Sequence, residues 1–354
     1  MSDIPDYSQD RESFLDNWDE LVDGSDTLGK KILSIFQQCT QLPKPELQLP
    51  VLVGLTMLPT AIVNTAPIGV AYGPSGSGKS DLGVIIAGCY NVPILSSSTT
   101  YAGLRNHIMI YKYYDPDSCR YEKHLCVVFD DLGPKALEND AIFTLLKTGH
   151  SRKTALTKIA MVGGGSLEFN TFCTKFLTSI NPFWEEAEYL ELKRRCVVFR
   201  TQKSDTYNAI DPKEIDFSGL SVELDYFWRN EQQRTVYKHF LSKYRKDPNK
   251  ELLASISCVL GMTSDETKKL FDEFWEFTDT HSIGDPLVEF LKQEIEEKGL
   301  DKVYTQHIKL LINNAKAQGI IDRANMKDIS RSLKALGYKL NSDDSNWFWT
   351  NKED

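Results

Sequence analysis

Gly73-Pro74-Ser75-Gly76-Ser77-Gly78-Lys79-Ser80 fits the pattern G-x-x-x-x-G-K-[ST] at every fixed position. Glycines at 73, 76 and 78 let backbone N–H groups curl around a chain of phosphates. Lys79 is placed to reach the β- and γ-phosphates, and the Ser80 hydroxyl to ligate Mg²⁺. The apolar run Ile68-Gly69-Val70-Ala71-Tyr72 leads in, and a helix-compatible run, Asp81 to Ala87, leads out. That is the strand–loop–helix context such a site needs, with the helix N-terminus adding its positive dipole end. A glycine-rich turn before a helix is the plainer alternative; the fixed positions and both flanks favour the phosphate site.

A second cluster lies 57 residues after Gly73, at Asp130 (130 − 73). His124-Leu125-Cys126-Val127-Val128-Phe129 reads as a buried parallel strand, and Asp130-Asp131 closes it. Ligands of open α/β sheets bind at the carboxyl ends of the strands. Asp130 is positioned to hold Mg²⁺ through water and Asp131 to polarise an attacking water. Two solvated acids at a strand end are the alternative. Lys175 to Ile180 is a further apolar strand, ending at Asn181-Pro182. Asn181 could bond the γ-phosphate or the water, or could simply form the turn that Asn-Pro favours. Arg194-Arg195 opens a fifth strand, Cys196 to Arg200. The pair is either surface charge or a source of an arginine finger for a neighbouring subunit's nucleotide.

Between the acids and Asn181, the stretch Ala141–Leu167 contains no acid but does contain Lys147, Arg152, Lys153 and Lys158. Within it Ala155–Val162 and Ser166–Phe169 read as two strands joined by Gly163-Gly164-Gly165, a hairpin. Arg152, Lys153 and Lys158 are expected to touch a nucleic-acid backbone; an ordinary solvated hairpin is the alternative. A second basic stretch, residues 302–340, has eight Lys or Arg and two Asp. Its helix Asn325–Leu336 puts Lys327, Arg331 and Lys334 on one face, ahead of a wing-like strand at Trp347–Thr350.

These pieces need a frame. The 354 residues suffice for two or three domains. Net charge is −9, but residues 1–27 carry nine acids and one base, so the other 327 sum to −1. A nearly neutral body with local basic patches does not exclude nucleic acid. The seven cysteines form no C-x-x-C pair and several sit in apolar runs, which suggests a reducing, cytoplasmic setting without zinc. No run of about 18 apolar residues exists, so no membrane span is expected. In order, the chain divides into an acidic segment with helices (1–45), a core carrying the motifs (46–202), a helical region (203–285) and a tail of helices and a wing (286–354). Phe14, Leu15, Trp18, Leu21 and Val22 share a helical face in the acidic leader, and a helical layer from Glu46 to Val63 precedes the first strand.

Phosphate loop, Asp-Asp strand, basic hairpin, Asn-tipped strand and Arg pair, in that order, resemble the AAA+ class of P-loop ATPases, and most of all its superfamily 3 helicase branch. GPSGSGKS and VVFDD are close to that branch's phosphate loop and acidic strand. The segment Leu145–Lys153 is similar to one in helicase-like ATPases of phage and mobile-element primases, and the tail to the winged helix-turn-helix of phage primase-helicases. The resemblance covers about residues 46–202. It implies an α/β fold with a parallel five-stranded sheet between an N-terminal helical layer and a C-terminal helical and winged-helix region. It implies ATP and Mg²⁺ as cofactors, with Asn181 as sensor and Arg194 or Arg195 as finger. It also implies a homo-oligomeric ring, a hexamer by analogy, acting on single-stranded or duplex DNA beside replication or mobile-element proteins. Two other readings fit the same motifs: a non-translocating switch that loads or regulates a partner, and a small-molecule kinase, which GPSGSGKS would equally suit.

Overall fold

The computed structural model describes residues 28–113, 122–132, 134–160, 163–180, 183, 189–203, 210–279, 286–300, 302–317, 329–330, 332–333, 336, 338–342 and 347–350. The acidic leader with its expected helix, Asn181, and Lys327, Arg331 and Lys334 lie outside these residues.

Strand β1 (Ile68–Tyr72) has its first four residues buried, as a strand covered on both faces must. It is one of the inner strands of a five-stranded sheet with β2 (Leu95–Ser96), β3 (Cys126–Asp130), β6 (Thr174–Ser179) and β7 (Cys196–Arg200). Their order across the sheet is β2-β3-β6-β1-β7, and every neighbouring pair is parallel. This is a mixed α/β architecture compatible with a P-loop NTPase fold. The order has a consequence for chemistry: β6 separates β1 from β3. The carboxyl end of β6 therefore lies between the loop after β1 and the acids after β3.

Helices complete the layers. α1 (Leu28–Cys39) and α2 (Pro45–Thr56) precede β1, and α3 (Lys79–Tyr90) follows it. α4 (Tyr101–Lys112) and the pair α5 (Pro134–Leu137) and α6 (Asp140–Thr148) flank β3. α7 (Leu190–Lys193) leads into β7, followed by α8 (Leu220–Arg229), α9 (Glu231–Lys243), α10 (Lys250–Leu260) and α11 (Ser264–Asp279). α2 is apolar almost all round, and Gln48, Leu49 and Val51–Thr56 are buried. A methyl group on Gly54 would meet Ile256 Cγ1 at 2.3 Å, so α10 crosses α2 at that glycine. One hydrophobic core runs from Leu28 to Phe274 and joins these helices to the sheet. The stretch Leu47–Val63, expected to break into a helix pair at Pro50 and Pro59, holds one helix that runs through Pro50 and ends at Thr56, ahead of Pro59. Strand β2 is only Leu95–Ser96, and Thr100 caps α4 through its hydroxyl.

The hairpin forms as expected. β4 (Leu156–Ala160) and β5 (Ser166–Asn170) pair antiparallel as a separate two-stranded sheet. Gly163, Gly164 and Gly165 all have positive φ, which is why three glycines join the strands. Beyond residue 285 a second core gathers Phe290, Leu291, Ile295, Val303, Ile308, Leu311 and Trp349. It belongs to α12 (Pro286–Glu297), β8 (Lys302–Tyr304), α13 (Thr305–Ala317), β9 (Lys339–Ser342) and β10 (Trp347–Thr350), whose strands form an antiparallel sheet of order β8-β10-β9. The expected helix over 325–336 falls largely outside the described residues.

One buried histidine gives the fold a pH dependence. His124 Nδ1 accepts a hydrogen bond from the Ala61 amide at 3.3 Å, which holds the ring neutral, close to Trp228. Burial, reinforced by Arg234, Arg229 and Arg152, pulls its pKa down to about 3. The unfolded chain would bind that proton near pH 6.5, so unfolding takes up a proton between the two values. Stability contributed by neutral His124 is complete above the unfolded value and is lost as pH falls below it. At pH 5 the loss is about 2 kcal/mol relative to pH 7. Urea midpoints of wild type and His124→Gln at both pH values should show that difference in the wild type and little of it in the variant.

Candidate nucleotide site

The loop between β1 and α3 takes its shape from backbone demands that the sequence meets. Gly76 and Gly78 have φ of 74° and 79°, the left-handed region where a side chain is strained. Gly73 is needed for space: a Cβ there would lie 2.2 Å from the Thr201 carbonyl oxygen. Thr201 follows β7 directly and ties the loop down. Its amide donates to the Tyr72 carbonyl at 2.8 Å, and its hydroxyl lies 2.6 Å from that of Ser77. The Ser77 hydroxyl donates to the Pro74 carbonyl at 2.8 Å. α3 then begins at Lys79, and the first-turn amides of a helix have no intrahelical partner and favour an anion.

The Lys79 ammonium donates to the Gly73 carbonyl at 2.9 Å and the Pro74 carbonyl at 2.6 Å. Burial lowers its pKa, opposed by Asp131 first and Asp130 second. Both expected acids thus act on the loop lysine electrostatically. The Ser80 hydroxyl lies 3.1 and 3.2 Å from the two carboxylate oxygens of Asp130. A serine hydroxyl beside a carboxylate suits a hard cation that completes its shell with phosphate oxygens and water. The described residues contain no group of three His, Cys, Asp or Glu that could hold a metal by themselves. Asp131 is exposed and has φ of 54°, left-handed for a non-glycine residue.

Not every expected residue joins this cluster. Arg194 and Arg195 precede the first residue of β7, which pairs with Ile68 at the opposite end of β1 from the loop. Five residues at about 3.3 Å each separate them from the loop along the strand, beyond the reach of one side chain. Within one chain the pair does not meet Lys79. Arg194 is exposed, with no bonded partner among the described residues. Arg195 is half-buried, and its Nη1 is buried without a hydrogen-bond partner among the described residues.

Two of the three hairpin cations have partners within the chain. Arg152 does not present its guanidinium to a phosphate. Its Nη1 donates to both oxygens of Glu122 at 3.1 and 2.9 Å, its Nε to the Val63 carbonyl at 2.9 Å, and its Nη2 to the Thr60 carbonyl. Phe172 lies under it at 4.6 Å. Arg152 is a brace between the hairpin's base and the segment before β1. Lys158 is exposed but pairs with Glu168 at 2.6 Å, the residue opposite it in the hairpin register. Of the three, Lys153 is exposed and has no bonded partner among the described residues.

Four residues that the sequence reading did not single out shape the site. Thr178 bonds both acids, and Thr201 holds the loop. The Gln48 side chain exchanges hydrogen bonds with the Arg200 backbone, at 2.6 Å from the amide and 3.1 Å to the carbonyl. The Arg200 guanidinium lies 5.0 Å over the Tyr72 ring and donates to the Thr278 carbonyl at 2.9 Å. A lone glutamine in the apolar run LQLPVLVGL was the available signal for Gln48; the other three become visible only once the strand order is known.

No family model matches the chain, and no curated protein matches it. Among solved structures it is similar to one titled "SCCmec type IV Cch - active helicase", at 14% identity and a TM-score of 0.41, over 96% of this chain and 69% of that one.

Proposed function

We propose that the chain is a Mg²⁺-dependent ATPase that assembles with copies of itself and acts as a helicase or translocase on DNA. The observation that carries the ATPase reading is the meeting of Lys79, Ser80, Asp130 and Asp131 at the carboxyl edge of one parallel sheet. Residues 73–80 cradle the phosphate chain, and Lys79 neutralises its β/γ end. Ser80 and Asp130 hold Mg²⁺, which when bound offsets charge on the transferring phosphate. Asp131 orients the attacking water, with Asn181 as sensor. The finger comes from a neighbouring copy, and Arg194 takes that role because it is exposed at the far end of β7. A heterologous, head-to-tail contact of this kind gives a ring when its rotation closes; six copies is the size that the resemblance implies. The DNA contacts are Lys153 on the hairpin and Lys327, Arg331 and Lys334 in a winged-helix tail, in a replication or mobile-element setting. The described part of the molecule contains no helix long and apolar enough to cross a membrane.

A second reading, the partner-regulating switch, draws support from the ion pairs of Arg152 and Lys158, which leave the hairpin with less free positive charge. Phosphate release with and without single-stranded DNA, run beside light scattering, separates the two. A motor gives DNA-stimulated turnover by an oligomer, with DNA affinity falling steeply with salt. Turnover indifferent to DNA, with no DNA binding at low salt, moves the assignment to the switch.

A further inference from the structure

We propose that Thr178 is a positioning residue that sets both acids of the nucleotide site through one hydroxyl group. The inference rests on the ATPase reading above. Thr178 is the fifth residue of β6 and is 1% exposed. The register of β1 and β6 pairs it with Ala71, and β3 and β6 run in register up to Phe129 and Leu177, one step before Asp130 and Thr178. The strand order thus brings Thr178 beside Asp130, two rows below Gly73, the first residue of the phosphate loop.

A hydroxyl offers one proton and accepts through its lone pairs. The Thr178 hydroxyl donates to Asp130 Oδ1 at 2.6 Å and accepts the Asp131 amide at 2.7 Å. The two bonds fix different things. The first holds the Asp130 carboxylate toward Ser80, whose hydroxyl faces the same two oxygens. The second pins the backbone of Asp131, a non-glycine residue at φ 54° that keeps this conformation only where its surroundings hold it. The backbone adds a third tie, from the Leu132 amide to the Thr178 carbonyl at 2.9 Å. The Thr178 methyl faces α3, where a Cβ on Gly83 would sit 4.0 Å from it. A β-branched side chain is stiff at χ1, so the packed methyl keeps the hydroxyl aimed at the acids. Serine at 178 would retain the chemistry with less rigidity, whereas valine would retain the shape and lose both bonds.

The test compares Thr178→Ser, Thr178→Val and Thr178→Cys in the full chain, reading kcat, KM for ATP and, from binding of a fluorescent ATP analogue without turnover, the Mg²⁺ concentration for half-maximal occupancy. Groups that orient a metal ligand typically govern metal affinity or activity by about 10–100-fold. Thr178→Val is expected to lower kcat by that factor and raise the Mg²⁺ requirement about tenfold, with KM nearly unchanged. Thr178→Ser is expected to stay within about threefold of wild type, since the hydroxyl is what orients the ligand. Thr178→Cys, with a weak S–H donor, should follow valine, and it decides the matter if the valine variant does not fold. A folded valine or cysteine variant with wild-type kcat and Mg²⁺ dependence overturns the proposal, as does a serine variant impaired as badly as the other two. Active wild type with an inactive Lys79→Ala variant upholds the ATPase reading whatever Thr178 does; a wild type without turnover defeats both.

Discussion

Lys79→Ala is expected to lower ATP turnover on the order of 10³-fold or more, because it removes a charge stabilising the reacting phosphates. Lys79 is the only charged residue of the loop 73–80. It sits with its stem buried at the start of α3 and its ammonium against the loop's own carbonyls, so it is held where a phosphate chain would pass. No other loop side chain can replace that charge; Ser75, Ser77 and Ser80 supply hydroxyls only. The fold should survive. The substitution removes two hydrogen bonds to the carbonyls of Gly73 and Pro74, and Thr201 still anchors the loop through Tyr72 and Ser77. A stability loss of about 1–2 kcal/mol is expected. Thermal melting beside single-turnover phosphate release checks both halves. A collapse in melting temperature would mean that Lys79 is mainly structural.

Arg194→Ala is expected to leave ATP binding intact and to cut turnover by on the order of 10³ or more, the effect of losing a finger. Arg194 lies beyond the opposite end of β1 from its own chain's loop, so its loss cannot disturb the binding of nucleotide there. Its exposure leaves it available to another copy. Arg195 is a poorer candidate because its side chain is half-buried, with Nη1 out of solvent. Glu191, one turn before, forms an ion pair with Lys147 and fixes α7 against α6. Mixing Arg194→Ala with Lys79→Ala should restore activity. In a randomly assembled equal mixture about a quarter of head-to-tail sites combine an intact loop with an intact arginine. If no mixing ratio restores turnover, the site is not shared between copies.

The local parts of the site were legible in the sequence because their chemistry is written in contiguous residues. GPSGSGKS carries its glycines, lysine and hydroxyl within eight positions, and Asp130-Asp131 closes an apolar run that can only be a buried strand. The strands at 68–72, 174–179 and 196–200 were readable for the same reason. What could not be read depends on which strand lies beside which. Thr178 looks like any polar residue in a strand until β6 is known to separate β1 from β3. Thr201 gains its role because β7 lies on the other side of β1. The internal pairing of the hairpin charges was hidden for a related reason. The acid-free stretch ends at Leu167, one residue before the Glu168 that the register sets against Lys158. Arg152 is satisfied by Glu122, 30 residues upstream, and by carbonyls before β1, none of which a local charge count can anticipate.

The central claim, that residues 73–80 with Asp130 and Asp131 form a Mg²⁺–ATP hydrolysis site, is tested most directly by phosphate release from ATP. Purified wild-type chain and Lys79→Ala would be compared with Mg²⁺ and with a chelator. The account predicts turnover by the wild type that requires Mg²⁺ and is missing from Lys79→Ala. Equal phosphate release by the two proteins, or none by the folded wild type with Mg²⁺ and DNA present, would contradict it.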